Sequence, residues 1–409
     1  MEYSNVNLIV FLILILFILI NETQSVYGEK ANILKREKED LELEKQLKIL
    51  NKKPIKTMVT NFGDIVDCID IYKQPAFDHP LLKDHKIQMA PSSIPEELTN
   101  KNISSSIFRS SNMGHRFRHD KCPPGTVPIR RTKKQDLINA RNLLHKATPI
   151  GPYAYTLSPM DNRVVSIVEF SETKAFFGAT AEISAHGLEL DNNQFSTAQV
   201  WIKNGPDEEI NSIEFGWMVY PALFGDSRSR LFGYWTADNH KQTGCFNVLC
   251  SGFVQVHSEV FLGALLESLS IYGKDSRILP VKVSRDPQTG NWWLITTKII
   301  GYWPKEIFTH LTNNASILRY GGIAGAKPQT PAPPMGNGYL PQLKDYNKTA
   351  FMAEMKYVNE KGQSVNLNPY GIQTKKDATL DCYNILFAGN IGGDWEITMA
   401  FGGPGGMCP

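Results

Sequence analysis

Short runs of alternating apolar and polar residues dominate the chain from about residue 151 onward. Gly, Pro, Asn and Asp residues separate these runs, as is usual between strands. The clearest runs are Phe195–Ile202, Ile210–Pro221, Phe253–Leu266, Ile278–Val283 and Asn291–Trp303. Many strands without long helices between them are typical of sandwiches and barrels. The pattern therefore predicts one large, mostly β domain.

A different hydrophobic pattern marks the N-terminal region. The residues from Leu8 to Ile20 are all apolar, and a polar stretch follows them. A helix of that length covers about 20 Å, which is too short for a bilayer core of about 30 Å. It fits the apolar region of a secretory signal peptide, with permissive residues for cleavage near Gly28. We therefore expect a signal peptide over residues 1–28, with an uncleaved anchor as the alternative, and no membrane contact after cleavage.

Residues 29–148 have the composition of a smaller module. Glu29–Lys53 is highly charged with a partial leucine stripe, which fits a solvated helix or, alternatively, a flexible charged arm. Residues 57–134 are rich in loops and prolines, and Cys68 and Cys122 lie within them. The basic run Arg130–Lys134 precedes a predicted short helix that reaches His145. Such a run is either a solvated surface or a processing linker between the two modules.

Composition narrows the function classes. The 43 Lys and Arg residues nearly balance the 41 Asp and Glu residues, so a net charge of +2 gives no reason to expect nucleic acid. The six cysteines all follow the signal region and allow up to three disulfides, with about fifteen possible pairings. Neither a paired CxxC nor an HExxH motif is present, so we expect no metal or other cofactor. Glycosylation sequons at Asn102, Asn314 and Asn347 are compatible with secretion.

Several longer strings carry a family resemblance. They are IEFGWMVYP (213–221), FGYWTADNHKQTGCFNVLCSGFVQV (232–256), DPQTGNWWL (286–294), IGYWPKEIFTHL (300–311), MGNG (335–338) and GGPGGMCP (402–409). Together they resemble the neprosin family, plant secreted glutamic peptidases that cut after proline. The strings at 63–82 and 122–131 resemble the activation peptide of the same family.

The resemblance implies a propeptide over residues 29–148 and a neprosin-like antiparallel β-sandwich over residues 149–409. It also implies an active-site cleft on the concave face of one sheet and activity in acid. The implied disulfides are Cys245–Cys250 and Cys382–Cys408, which leaves Cys68–Cys122 inside the propeptide. The expected location is outside the cell, in the cell wall, or in the vacuole. The expected partners are a proline-containing peptide or protein and the chain's own propeptide.

Glu214 corresponds to the first of the family's two catalytic glutamates. One carboxyl group must accept a proton from the attacking water while its partner, protonated, polarises the scissile carbonyl. Strand alternation places Ile213, Phe215 and Trp217 on one face and Glu214 on the opposite face. Without the resemblance, an exposed charge on a solvated sheet face would be the better interpretation of Glu214. With it, we predict that Glu214 is catalytic.

The second glutamate of the family is missing. The family carries Gly-Gly-Glu where this chain has Gly321-Gly322-Ile323, and Ile323 can neither accept nor donate a proton. No Asp or Glu lies between Gly321 and Leu340, so a small alignment shift does not recover the acid.

Aromatic and polar residues near the expected cleft complete the candidate site. Tyr220, Trp235 and His240 are predicted to contact substrate, although each aromatic could instead belong to an ordinary core. His240 and Phe246 stand where the family motif has tyrosines. Two functions remain open: a proline-directed endopeptidase made as a zymogen, and a non-catalytic protein that binds proline-rich or glycan-bearing polymers. Because paired catalytic residues act as a unit, we expect little or no peptidase activity.

Overall fold

The computed structural model describes residues 33–34, 37–93, 109–110, 121–144, 162–327, 329–377 and 379–408. The predicted signal peptide and the predicted module boundary at 148/149 lie outside these residues. The chain forms two compact units, residues 1–49 and residues 50–409. Residues 33–34 and helix α1 (37–50) are helical, so the described part of the charged segment is a helix up to residue 50. No helix in the described residues is long and apolar enough to cross a membrane.

Strands account for most of the regular structure in residues 50–409. Helix α2 (Lys134–Leu144) and the short helix α3 (Pro221–Phe224) are the α-helical segments in the described part of this unit. The strands are β1 (Lys56–Val59), β2 (Ile65–Asp70), β3 (Arg109–Ser110), β4 (Thr126–Arg130), β5 (Asn162–Phe176), β6 (Gly178–Ser184), β7 (Gln194–Asn204), β8 (Asn211–Val219), β9 (Arg230–Thr236), β10 (Cys245–Phe246), β11 (Val254–Gln255), β12 (Arg277–Arg285), β13 (Trp292–Ile295), β14 (Ile299–Trp303), β15 (Ala315–Ala326), β16 (Phe351–Val358), β17 (Ser364–Asn366), β18 (Ile372–Lys376), β19 (Asn384–Asn390) and β20 (Ile397–Gly402). Single turns of 3-10 helix cover Ile71–Lys73, Pro75–Asp78, Pro80–Leu82, Asp207–Glu209, Lys305–Ile307, Tyr346–Lys348 and Pro369–Gly371.

Two large sheets form the main domain. In the described part of the chain, a seven-stranded sheet has the order β10-β9-β8-β7-β15-β5-β18. A ten-stranded sheet has the order β11-β14-β13-β12-β6-β16-β20-β19, with β17 beside β16 and β3 beside β12. Neighbouring strands are antiparallel in both sheets, apart from the short parallel pair of β3 and β12. The predicted mostly β, antiparallel architecture is confirmed.

The main core lies between the two sheets, which makes the domain a sandwich. The seven-stranded sheet contributes Ile213, Phe215 and Trp217 from β8, and the ten-stranded sheet contributes Val281 and Trp292, all buried. The alternation predicted for residues 213–219 is therefore confirmed. Because β8 directs these odd-numbered side chains into the core, its even-numbered side chains point to the opposite face of the sheet.

The segment Phe253–Leu266 departs from its predicted strand. Only Val254–Gln255 is a strand, and most of the rest runs irregularly across the domain. The ring Nδ1 of His257 accepts hydrogen bonds from the backbone N–H groups of Glu259 and Val260, at 3.0 and 2.9 Å, which turns the chain. The apolar residues beyond this turn are buried, so alternation alone gave no sign of the irregular path.

The described residues between 50 and 144, called the N-terminal module below, share their packing with the sandwich. Strands β1, β2 and β4 form a small antiparallel sheet, and the Cys68–Cys122 disulfide ties this module together. Leu82 of the module is fully buried in the core between the two large sheets. The Asp64 carboxylate accepts a hydrogen bond at 3.0 Å from Arg230 of β9, whose side chain is fully buried. The N-terminal module is therefore an integral part of the second compact unit.

Candidate active site

The seven-stranded sheet has a second face, opposite the sandwich core, which carries Glu214. This face, called the site face below, also carries a buried apolar cluster. Strands β5, β7, β8, β9 and β15 contribute side chains to it. The cluster consists of Val165, Ile167, Phe195, Trp201, Met218, Tyr220, Leu223, Phe224, Phe232, Tyr234, Phe246 and Ile323. Glu214 on β8 lies directly opposite Trp201 on β7 and Tyr234 on β9.

Glu214 is a buried acid held by two polar neighbours. The side chain is 2% exposed. Its Oε2 accepts a hydrogen bond from Nε2 of Gln199 at 2.8 Å, and its Oε1 accepts one from Oγ of Ser212 at 3.3 Å. Burial raises the pKa of Glu214 to about 7, although the charge of Lys203 and the two hydrogen bonds act in the opposite direction. In acid, Glu214 is therefore a neutral carboxylic acid that can donate a proton.

Ile323 lies on the same face as Glu214, two strands away on β15. Its side chain is fully buried in the apolar cluster of the site face. Its backbone N–H donates a hydrogen bond to Oγ1 of Thr197 at 3.1 Å, which fixes the strand at this point. The position where the family resemblance places the second acid is therefore occupied by an apolar side chain in an apolar setting.

A second carboxylate on the site face, Glu169 of β5, is committed to cations. Its Oε2 accepts a hydrogen bond from Nε of Arg319 at 2.5 Å, and its Oε1 accepts one from Nζ of Lys375 at 2.6 Å. Burial alone would raise the pKa of Glu169, but the two cations outweigh burial and lower it. Glu169 is therefore ionised at pH values at which Glu214 is still neutral. The two acids differ because cationic side chains donate hydrogen bonds to Glu169, whereas neutral side chains donate to Glu214.

Lys203 of β7 is a buried cation close to both acids. Burial and the charge of Arg319 lower the pKa of Lys203 to about 7, while Glu214 and Glu169 act to raise it. The site face therefore contains two groups, Lys203 and Glu214, that change protonation near neutral pH. Charged groups poised in this way are frequent at functional sites.

Tyr234 lies directly opposite Glu214 and contacts His240. Its Oη lies 2.6 Å from Nδ1 of His240, and the two rings stack with centroids 5.3 Å apart. Burial raises the pKa of Tyr234, and the nearby carboxylates Glu214 and Asp238 act in the same direction. Phe246 packs against the other side of Tyr234 at a centroid distance of 4.7 Å. His240 and Phe246 thus both surround the tyrosine opposite Glu214.

Two of the three predicted substrate contacts share the face of Glu214. Tyr220 is buried in the apolar cluster, with its ring 5.3 Å from Phe195, and His240 lies on Tyr234. Trp235 does not share this face, because it follows Tyr234 on β9 and alternation directs it into the sandwich core. There its ring lies 5.9 Å from Phe308, and it also approaches His79 of the N-terminal module.

The cysteines pair as the resemblance implies. The disulfides are Cys68–Cys122, Cys245–Cys250 and Cys382–Cys408. The second of these closes a short loop that contains Phe246 and so helps to hold the wall beside Tyr234.

The predicted sequons fall in different settings. Asn347 is exposed on the 3-10 turn Tyr346–Lys348, and Asn314 is partly buried beside Asn204. Asn102 lies outside the described residues. Within the described residues, no cluster of His, Cys, Asp and Glu could hold a metal ion.

Comparisons with known proteins agree with the order of the two modules. The family model "Neprosin activation peptide" matches residues 57–149, and the family model "Neprosin" matches residues 192–404. The chain belongs to the neprosin family. The neprosin match contains Glu214 and Ile323, whereas the activation-peptide match contains Cys68 and Cys122. The neprosin-family arrangement of an activation segment before the peptidase domain is therefore present.

Solved structures similar to this neprosin-family chain include scytalido-glutamic peptidase. One crystal structure contains a transition state analog inhibitor, and it matches with 11% sequence identity and a TM-score of 0.34. A second contains a peptide based transition state analog and matches with 11% identity and a TM-score of 0.33. Each match covers 59% of this chain and 98% of the other chain.

Several polar residues of the site face were not singled out from the sequence. They are Gln199 and Ser212, which bond Glu214, and the charged residues Lys203, Arg319 and Lys375. Alternation along residues 195–202 could have placed Gln199 on one face with Trp201. Nothing in the sequence joins Glu169 to Arg319, because their contact depends on the pairing of β5 with β15.

Proposed function

We propose that this neprosin-family protein is secreted, binds proline-containing peptides on the site face, and hydrolyses them very slowly or not at all. The observation that supports this most directly is the full burial of Ile323 among apolar side chains on the face that carries Glu214. In this proposal the chain retains the family's fold and peptide-binding surface while lacking one half of its catalytic pair.

Peptide hydrolysis needs two acid–base roles in the same step. Water must lose a proton to a base while the carbonyl oxygen or leaving nitrogen receives a proton from an acid. Glu214 in acid is protonated and can fill the second role, but Ile323 cannot fill the first. Loss of one general acid or base typically lowers a rate by about 10²- to 10⁴-fold. Residual cleavage should accordingly be slow.

The site face carries a group of aromatic side chains. Trp201, Tyr220, Tyr234 and Phe195 lie together on it, and all four are buried. Flat aromatic rings offer a large apolar contact area to a proline ring with little loss of side-chain entropy. Secretion is supported by the apolar N-terminal run and by three disulfides, which persist in oxidising compartments.

The proposal is tested by measuring binding and cleavage on the same sample. The secreted chain is mixed at about pH 5 with a fluorescently labelled peptide that contains one internal proline. We expect the fluorescence anisotropy to rise on binding and mass spectrometry to find the peptide intact. Replacement of that proline by alanine should weaken binding by about tenfold.

Matched variants identify the surface responsible. Tyr234→Ala should reduce binding of the proline peptide, whereas Tyr370→Ala should not, because Tyr370 is 97% exposed and outside the site face. Absence of binding, or equal binding by the alanine peptide, would overturn the proposed peptide-binding role. Cleavage that disappears in Glu214→Gln would overturn the proposed loss of activity.

A further inference from the structure

Two tyrosine rings stack on each other at the surface of the molecule. Tyr272 lies in the loop before β12, and Tyr339 lies in the loop between β15 and β16. Their ring centroids are 4.2 Å apart, with an angle of 33° between the ring planes. The residues are 47% and 52% exposed, and neither belongs to the apolar cluster of the site face. The pair therefore offers about half of its surface to a ligand.

Further exposed apolar side chains come from the same two loops. Ile271, Leu340 and Leu343 are 54%, 44% and 38% exposed. These three residues, together with Tyr272 and Tyr339, are called the tyrosine patch below. Single exposed apolar residues are ordinary in soluble proteins, whereas exposed groups of them commonly mark surfaces that bind something. The tyrosine patch is therefore a candidate binding surface.

The turn that carries the sequon at Asn347 adjoins the tyrosine patch. The backbone N–H of Gly273, the residue after Tyr272, donates a hydrogen bond to the carbonyl oxygen of Asn347 at 2.9 Å. Nδ2 of Asn337 donates a hydrogen bond at 3.0 Å to the carbonyl oxygen of the residue after Asn347. Asn337 lies two residues before Tyr339. Both loops of the patch are therefore bonded directly to the sequon turn.

The side chain of Asn347 is suited to glycan attachment. Asn347 is exposed, and its Oδ1 accepts a hydrogen bond from Oγ of Ser276 at 2.9 Å. Among the described residues, none accepts a hydrogen bond from Nδ2 of Asn347. An N-linked glycan is attached through that nitrogen. Attachment therefore leaves the Ser276 hydrogen bond in place.

Packing holds the sequon turn in one position. Tyr346, directly before Asn347, lies against Trp395 with ring centroids 4.1 Å apart, and its ring edge contacts Phe351 at 5.7 Å. The Asp345 carboxylate accepts a hydrogen bond from the backbone N–H of Asn347 at 3.2 Å. A glycan on Asn347 would therefore extend from a fixed base beside the patch.

We propose that the first sugars of an N-linked glycan on Asn347 lie on the tyrosine patch and stack on Tyr272 and Tyr339. The face of an aromatic ring carries partial negative charge, and the C–H groups on the apolar face of a sugar ring are weak donors that complement it. The inference rests on the proposed secretion of the chain and is independent of the proposed peptide binding.

Glycan attachment is a group transfer catalysed by an enzyme of the secretory pathway. Nδ2 of Asn347 forms a bond to the anomeric carbon of an oligosaccharide and loses one proton. The bond between that carbon and a lipid diphosphate carrier breaks, and the diphosphate leaves with the electron pair. The tyrosines take no part in this step, and they contact the sugars once the chain has folded.

Chemical modification of tyrosines measures whether the patch is covered. The secreted chain and the variant Asn347→Gln are treated with N-acetylimidazole, and peptide mass spectrometry quantifies both tyrosine acetylation and glycan occupancy at Asn347. Because a stacked sugar covers most of the exposed part of each ring, acetylation of Tyr272 and Tyr339 should be about threefold slower in the glycosylated chain. Tyr370 is 97% exposed and should react equally in both forms.

A matched variant and a second way of removing the glycan serve as controls. Asn314→Gln removes a different sequon, which lies beside Asn204, and should leave the protection of Tyr272 and Tyr339 unchanged. Enzymatic release of the glycan from the folded, secreted chain should restore acetylation to the level of Asn347→Gln. Circular dichroism melting curves establish that each form is folded.

The outcomes separate this inference from the proposed function. Equal acetylation with and without the glycan, or a secreted chain that carries no glycan at Asn347, would overturn the inference and leave peptide binding intact. Protection that persists in Asn347→Gln and increases with protein concentration would identify a second copy of the chain as the occupant, and would also overturn it. A chain that is not secreted would overturn the proposed secretion, and this inference with it.

Discussion

Glu214 keeps its proton to a higher pH than an exposed carboxyl group because its site excludes water. Burial raises its pKa from an ordinary value of 4.5 to about 7. Between these two values the folded chain binds more protons than the unfolded chain, so the free energy of unfolding falls as the pH rises. A buried acid of this kind stabilises the protein least when it is forced to ionise.

Glu214→Gln should remove that part of the pH dependence. Because the amide does not ionise, the free energy of unfolding of the variant should fall less between pH 5 and pH 7, by on the order of 2 kcal/mol. Urea unfolding at both pH values measures the difference. Glu360→Gln, at an exposed position, is the control and should behave as the unaltered chain does. Identical pH dependence in Glu214→Gln and the unaltered chain would contradict the raised pKa.

At the residue scale, the sequence was sufficient to assign faces but insufficient to assign partners. Alternation along β8 predicted the face of Glu214, and the same rule places Trp235 in the core, because it follows Tyr234. The Gln199 and Arg319 contacts depend on which strands pair and in which register. That information lies in long-range packing, which a local pattern does not contain.

At the element scale, β15 depends on a glycine that no other residue could replace without cost. A Cβ atom on Gly321 would lie 2.2 Å from the backbone oxygen of Ser166, at a φ of +148°. This close approach keeps β15 paired with β5 on one side while β7 pairs on the other. The close contact between the backbones of Gly321 and Ser166 therefore helps to fix the register of β15, the strand that carries Ile323 and Arg319.

Gly321→Ala should destabilise the protein more than an alanine at an unobstructed glycine. Overpacking against backbone in the sheet should lower the free energy of unfolding by about 3 kcal/mol. Gly389→Ala is the matched control, since its φ is +73° but nothing lies within 4 Å of the added Cβ. Its cost should be about 1 kcal/mol, from backbone conformation alone. Equal costs in denaturant unfolding would show that the Ser166 contact relaxes freely.

Elements differed in how well the sequence predicted them. Regular strands such as β7 and β8 follow the alternation of their residues, because one side of each is packed in the sandwich core. The residues 253–266 also contain many apolar side chains, yet they follow an irregular path fixed by the His257 turn. Buried loops rich in apolar residues resemble strands in sequence, so this error was unavoidable from pattern alone.

At the scale of the whole molecule, buried charges join the N-terminal module to the sandwich. Asp64 of the module bonds Arg230, and also accepts a hydrogen bond from Arg130 at 3.1 Å. Burial alone would raise the pKa of Asp64, but Arg230 and Arg130 outweigh burial and lower it. The stabilisation by Asp64 is therefore complete above its unfolded pKa of about 4 and is lost as the pH falls through the lower, folded value.

Asp64→Asn should destabilise the unit at neutral pH. Without the Asp64 carboxylate, the positive charge of the fully buried Arg230 is less well neutralised. This loss should lower the free energy of unfolding by on the order of 3 kcal/mol. Asp345→Asn, which removes an exposed pair with Lys348, should leave stability close to unchanged. The difference between Asp64→Asn and the unaltered chain should shrink in strong acid. A cost that is the same at neutral and strongly acid pH would contradict the buried ion pair as its source.

The central claim concerns the whole molecule: a neprosin-family chain with Glu214 in place and Ile323 where its partner acid would be. The variant Ile323→Glu supplies that acid and serves as the positive control for the assay. Glu214→Gln removes the remaining acid and defines the background. The activity of the unaltered chain can therefore be compared with a positive control and a background, each made by a single substitution on the same sheet face.

The most direct measurement is mass-spectrometric detection of cleavage after proline at about pH 4.5. The unaltered chain, Glu214→Gln and Ile323→Glu are each incubated with the same proline-containing peptide. We predict that the unaltered chain gives no more product than Glu214→Gln. Cleavage by the unaltered chain at least about 100-fold above that background would show that Ile323 does not prevent catalysis, and would contradict the account.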